Sequence, residues 1–165
     1  MPKVNNVEDL LLFEIRDLYD TEHRIASALP KMATMASHPQ LKAAFEMHLE
    51  QTEGQIRRLE QVFKLLGQPP KKKTCEGIKG IIAEGQEVLK MDMEPHVKDA
   101  ALIGAAQRVE HYEIAGYGCA RTFASLIGNS AAADLLQETL DEEIDTDEKL
   151  TQLAEVAVNP QALQV

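Results

Sequence analysis

The sequence predicts an all-α protein: a bundle of four long helices, arranged as two antiparallel hairpins joined by one long crossover. Three observations carry this. Apolar residues recur at steps of three, four or seven along most of the 165 residues, the period of a helix buried along one face. Aromatic residues make up 4% of the chain and Trp is absent, yet 44% is apolar; a core of Leu, Ile, Val, Ala and Met suits helices better than a β-sandwich. Stop signals are widely spaced, and the one irregular stretch is Pro69-Pro70-Lys71-Lys72-Lys73. The length supports a single domain over residues 1–165 with a sizeable core.

The first helix is expected over Val7 to Ala36, on the apolar line Leu11, Ile15, Leu18, Ile25, Leu29 and Met32. Asn5 or Asn6 can cap its start, with Glu8 and Asp9 in the first turn. Pro30 falls inside it and should kink it or end its regular part. The second begins at Ser37-His38-Pro39-Gln40, which has the form of a capping box with Pro in the first turn. Its line is Leu41, Phe45, Leu49, Ile56, Leu59 and Phe63, and Gly67 ends it.

The crossover covers residues 68–94. It carries the basic linker and a short amphipathic helix from Glu76 to Lys90, weakened by Gly77, Gly80 and Gly85. The third long helix runs from Pro95 to Ile127 on Leu102, Ala106, Val109, Ala120 and Ala124. Gly128-Asn129-Ser130 ends it and caps the fourth, which runs from Ala131 until Asn159-Pro160 stops it. Short connections make each pair a hairpin, and two hairpins with one long crossover is ferritin-like connectivity.

Several acids fall on the apolar lines. At about 100° per residue, Glu22 lies about 20° from the centre of the first stripe and Glu113 about 20° from the third, with Glu110 at that stripe's edge. Glu143 and Asp147 flank the centre of the fourth, between Leu140 and Leu150. On the second helix Thr52 takes the middle, Glu53 is a boundary residue, and Glu50 needs a rotated helix or a reaching side chain. An ionised carboxylate in a helical core costs several kcal/mol unless it is paired or ligated. The arginines mostly lie off these lines, so a pair of divalent cations is the natural compensation.

Net charge is −10, from 17 Lys+Arg against 27 Asp+Glu. That argues against nucleic acid or an anionic membrane as partner. No apolar run is long enough for a membrane span, and the first residues lack the pattern of a secretory signal. Cys75 and Cys119 form no metal or redox motif and are expected as reduced thiols in a cytoplasmic protein. Phosphate-loop, dinucleotide, zinc-protease and nucleophile-elbow motifs are absent from the sequence. Apolar residues off the main stripes (Leu12, Ile103, Leu135 and Leu153) make a homodimer the expected assembly.

The chain resembles the YciE/YciF family of ferritin-like, stress-associated bacterial proteins. The resemblance rests on Asp17-Leu18-Tyr19 through Glu22 with Ala28-Leu29-Pro30-Lys31-Met32, on His48-Leu49-Glu50-Gln51-Thr52-Glu53-Gly54-Gln55-Ile56, on Val109-Glu110-His111-Tyr112-Glu113-Ile114-Ala115, and on Glu138-Thr139-Leu140 with Asp141-Glu142-Glu143. It implies a di-iron centre and a ferroxidase-like activity. Carried over by position, it implies Glu22 as the first-helix ligand, Glu50 and Glu53 in place of a Glu-x-x-His motif, Glu110 and Glu113 on the third helix, and Glu143 with Asp147 in place of a second Glu-x-x-His. With both histidine positions filled by carboxylates, the expected shell is all oxygen, suited to Mn²⁺ or Mg²⁺ as well as iron. His23, His48 and His111 are then neighbours of the ligands and Tyr19, Tyr112 and Tyr117 candidate donors to them.

Overall fold

A computed structural model describes residues 4–165. Its elements in chain order are α1 (Val7–Met35), α2 (Pro39–Leu65), α3 (Glu76–Lys90), α4 (Pro95–Leu126) and α5 (Ser130–Leu153), then a π-helical turn (Ala154–Val158) and α6 (Asn159–Ala162). The helices α1 and α2 form one hairpin, α4 and α5 the other, and α3 rides on the crossover between them, packed on α4 and α1. This is the predicted bundle.

Local chemistry explains most boundaries. The Asn6 side chain accepts from the Asp9 amide at 2.7 Å, and the Asp9 carboxylate accepts from the Asn5 amide at 2.9 Å, so α1 starts on a reciprocal cap. Asn129 caps α5 by accepting from the Ala132 amide. Gly67 and Gly128, which follow α2 and α4, have φ of +64° and +74°, a region that favours glycine.

Pro30 lies inside α1 on the exposed face, where the carbonyl it leaves without a partner can be hydrated, and the next turn still seats Ala33 in the core. Two expectations are corrected. The Ser37 box does not form. Instead the Asp99 carboxylate of α4 accepts from the amides of Ser37 and His38, each at 2.8 Å, so the cap of α2 comes from the other hairpin. Asn159-Pro160 does not stop the last helix: the Asn159 amide reaches the Ala154 carbonyl in a widened π turn, and Pro160 takes an early position in α6, where it has no amide to place.

The core is divided along the bundle axis. One apolar cluster contains Leu11, Ile15, Leu18, Leu59, Phe63, Ala120, Ala124 and Leu136. A second contains Ile25, Leu29, Leu41, Phe45, Ile78, Leu102, Ile103 and Leu150. Ile103, expected off the stripe, belongs to this interior and is not available to a dimer interface. Between the two clusters every long helix contributes buried polar side chains: Glu22 from α1, His48, Thr52 and Gln55 from α2, Glu110 and Glu113 from α4, Glu143 from α5. A polar layer is thus enclosed between two greasy ones.

Candidate metal centre

The polar layer exists because these residues keep the spacing of the apolar seam while changing its chemistry. On α1 the buried positions run Leu11, Ile15, Leu18, Glu22, Ile25, Leu29, alternating steps of four and three. On α2 they run Leu41, Phe45, His48, Thr52, Gln55, Leu59, Val62 with the same alternation. On α4 the line passes Leu102, Ala106, Glu110, Glu113, Tyr117 and Ala120, and on α5 Leu136, Leu140, Glu143 and Leu150. Each helix therefore points its polar residues at the bundle axis at the same height.

Four of these side chains converge. Ligand atoms of His48, Glu110, Glu113 and Glu143 lie within 4.8 Å of one another. Glu22, Glu113 and Glu143 are fully buried, and Nε2 of His48 is 3.4 Å from Oε1 of Glu110. Glu22 joins the group through Tyr117, whose hydroxyl donates to its Oε1. Gln55 donates to Glu143 and, at 3.0 Å, to Glu142.

Burial and mutual repulsion set the electrostatics. Loss of solvent pushes the Glu22 carboxyl well above its ordinary value, and the nearby Glu143 adds to the rise, against the Tyr117 hydrogen bond. Glu110 is raised by burial and then by Glu143. Burial, Glu143 and Glu22 together raise Glu113. Desolvation lowers His48, which favours the neutral imidazole that can ligate a metal. Burial, reinforced by the surrounding acids, holds the Tyr117 hydroxyl protonated as a donor.

A divalent cation fits this arrangement. Oε2 of Glu22, of Glu110 and of Glu143, both oxygens of Glu113 and both nitrogens of His48 are buried without a hydrogen-bond partner among the described residues. Buried polar atoms left so are rare, and a carboxylate oxygen offers only acceptance. Four carboxylates also carry the charge that two divalent ions would balance. Carboxylates with one imidazole suit iron or manganese.

Glu50 and Glu53 are not brought to this layer. Both are exposed on the outer face of α2, because the inward seam of that helix passes through His48, Thr52 and Gln55. Asp147 lies at the edge, its carboxylate held by Gln107 Nε2 at 3.1 Å and by His111 Nε2 at 3.4 Å. His48, expected beside the ligands, falls inside the candidate cluster, so the donor atoms gathered there are not all oxygen. Its signal was present in the sequence: it sits three residues after Phe45 and four before Thr52. A stripe drawn through Phe45, Ile56 and Phe63 averages over that alternation and turns the helix too far.

One flank of the layer is closed by a clamp. Arg58 on α2 donates to Thr139 Oγ1 at 2.7 Å, to Glu138 at 2.6 Å and to both oxygens of Glu142 on α5. On the opposite flank Asp20 of α1 accepts from the Cys75 amide at 2.9 Å, and the Cys75 thiol lies 2.9 Å from the Tyr112 hydroxyl, anchoring the start of α3. A Cβ at Gly77 would come within 2.7 Å of the Tyr112 ring, so α3 needs glycine there to approach α4. Cys75 and Cys119 are both free thiols.

Residues 6–163 match the family described as "Domain of unknown function (DUF892)". The chain belongs to this family. It is 44% identical over 160 residues to Protein YciF of Escherichia coli (strain K12), covering 96% of each chain. The crystal structure of that stress protein superposes with a TM-score of 0.91, over 94% of this chain and 99% of the other. YcfI from Rhodopseudomonas palustris, at 42% identity, gives a TM-score of 0.88 over 90% of this chain and 95% of that one. A ferritin-like, diiron-carboxylate protein from Bacillus anthracis str. Ames gives 0.70 at 16% identity, over 91% and 99%, a likeness of fold alone. In this DUF892 member the ferritin-like bundle thus encloses a candidate metal cluster of His48, Glu110, Glu113 and Glu143. No helix among the described residues is long and apolar enough to cross a membrane.

Proposed function

We propose that the chain binds two metal ions, iron in its working form, with Glu22, His48, Glu110, Glu113 and Glu143 as ligands, and that it oxidises Fe²⁺ as a substrate. The observation that carries the reading is the convergence of glutamate side chains and an imidazole, with unpartnered atoms, in one buried layer. In a ferroxidase reaction two Fe²⁺ each lose one electron, and one O₂ takes both with two protons to give hydrogen peroxide. The protein's own part is to supply negative charge that favours the higher oxidation state. In the metal-free chain burial and mutual repulsion favour the protonated forms of Glu22, Glu110 and Glu113, and cation binding would displace those protons. Tyr117 keeps Glu22 oriented by donating to one oxygen, which leaves the other free. The likeness to the stress protein YciF supports a stress setting. The half-buried apolar residues Leu12, Leu135 and Leu153 support a homodimer, and the two free thiols support a cytoplasmic setting.

A second reading is a static metal site that stabilises the bundle without turnover. Its support is Gln55, which engages Glu143, and Thr52 beside it, so that α2 brings no carboxylate to the layer.

The test is elemental analysis of the chain after anaerobic Fe²⁺ loading, followed by exposure to O₂. Two metals per chain and oxidation faster than the buffer blank are expected, with loading lost in Glu22→Ala and Glu113→Ala. Full loading without turnover would establish the static site. Full loading in both variants would sink the assignment.

A further inference from the structure

Gln55 is fully buried on the inward seam of α2, after His48 and Thr52 on the same line. The two polar atoms of its amide are treated differently. Nε2 donates to Oε1 of Glu143 and, at 3.0 Å, to Oε2 of Glu142. Oε1 is buried with no hydrogen-bond partner among the described residues. It shares a carbon with Nε2, so it lies one amide's width from an atom that touches Glu143, a member of the converging cluster.

The neighbours set which way the amide faces. Arg58 donates to both oxygens of Glu142, so that carboxylate is held independently of Gln55. Turning the amide round would set its carbonyl oxygen against Glu142 and Glu143, and a carbonyl cannot donate. No donor of the layer reaches Oε1. The Tyr117 hydroxyl is given to Glu22 and the Thr52 hydroxyl to the His48 carbonyl, and neither nitrogen of His48 has a partner. An acceptor left alone in a buried layer of acids is matched by a cation.

We infer that Gln55 is a metal ligand through Oε1, and that its lack of charge biases the centre towards divalent ions. The inference rests on the metal reading above and holds whether or not the site turns over. Ionised Glu22, Glu110, Glu113 and Glu143 balance the charge of two divalent ions. Two trivalent ions exceed that balance, and a neutral residue at 55 does nothing to close the gap. In a centre that oxidises Fe²⁺, the ferric product is then held less firmly than a carboxylate at this position would hold it. An amide oxygen is a hard donor, suited to Mn²⁺ and Fe²⁺. Ligation through Oε1 also polarises the amide, which strengthens the bond from Nε2 to Glu143.

The test is equilibrium dialysis of the full chain against Mn²⁺ and, separately, against citrate-buffered Ga³⁺, a redox-inert ion of ferric charge. Gln55→Leu removes the oxygen and should weaken Mn²⁺ binding by about tenfold or more. Gln55→Glu keeps an oxygen in place, loses the amide donor and adds a charge. It should bind Mn²⁺ no more weakly than the parent, and should raise the affinity for Ga³⁺ relative to Mn²⁺ by about tenfold or more. A residue that served only to hold Glu143 through Nε2 would behave otherwise: both variants would lose Mn²⁺ alike, and that result would overturn the inference. So would unchanged Mn²⁺ binding in Gln55→Leu, or an unchanged ion preference in Gln55→Glu. A further readout uses the unaltered chain, carrying carbon-13 in its glutamine side chains and loaded with Zn²⁺. The Cδ signal of Gln55, assigned by its loss in Gln55→Leu, should move downfield. Full zinc loading with that signal unmoved overturns the inference and leaves the metal count standing, whereas a parent chain that takes up no metal sinks both.

Discussion

The Tyr117 hydroxyl of α4 donates to Oε1 of Glu22 on α1, and both side chains are fully buried. It is the donor that ties the first hairpin's acid to the second hairpin. In Tyr117→Phe the Glu22 oxygen loses it in a dry site, at a cost of about 1–3 kcal/mol to the metal-free chain. With metal bound, the cation satisfies the same carboxylate, so the loss should shrink. Urea unfolding with and without Mn²⁺ measures both. Equal losses in the two states would place Glu22 outside the centre.

Stability of the metal-free chain should fall as pH rises through the range where the buried acids ionise. In the unfolded chain Glu22, Glu110 and Glu113 release protons near 4.5, whereas in the folded chain they hold them well above that value. Between those limits the folded chain carries more protons, so their contribution is complete below 4.5 and is lost as pH climbs through the folded values. His48 runs the other way: its lowered value means stability lost as pH falls below 6.5. Comparison with Glu113→Gln isolates one acid. In chelator, the stability of the parent minus that of the variant should decrease from about pH 5 to about pH 8. A flat or rising difference would contradict the burial of an unpaired acid there.

The two faces of α2 should separate cleanly. His48→Ala removes the nitrogen that reaches the layer and should weaken metal binding by at least about tenfold. Glu50→Ala/Glu53→Ala alters exposed positions and should leave affinity within about twofold of the parent. Equilibrium dialysis against Mn²⁺ compares them directly. A large loss in the double variant would mean that the helix turns in solution.

Asp99 joins the start of α2 to α4 through two amides, and it is 1% exposed. Asp99→Ala leaves the amides of Ser37 and His38 without that acceptor and should cost about 2–4 kcal/mol. A fall in the thermal midpoint with unchanged metal stoichiometry is expected. A shift too small to resolve would show that water replaces the carboxylate there.

Much of this molecule is legible in the sequence, and the limits have physical causes. Helix existence, the hairpins and the crossover follow from period and stop signals, because each helix must bury a stripe and each hairpin needs only a short turn. The inward aim of Glu22, Glu110, Glu113 and Glu143 follows from the same period. The phase of α2 does not, because Ile56 is half-buried and pulled the stripe away from the seam through His48, Thr52 and Gln55. The cap by Asp99 was out of reach for another reason: it is a contact between residues 62 positions apart, chosen by how the hairpins dock. A Ser-x-x-Gln pattern at Ser37 looks sufficient locally until a buried carboxylate outcompetes it.

The Arg58 clamp has a consequence for traffic. It stitches α2 to α5 through Glu138, Thr139 and Glu142, all on one flank of the polar layer. The other flank is roofed by α3, which buries little of itself beyond Ile78 and is anchored at its leading end by Cys75. The centre therefore has a bolted wall and a lightly packed one. His48 and Glu110 line a cavity on the α3 side, so changes in the crossover should alter how fast the centre fills, while changes at Arg58 should alter how firmly the two hairpins stay together.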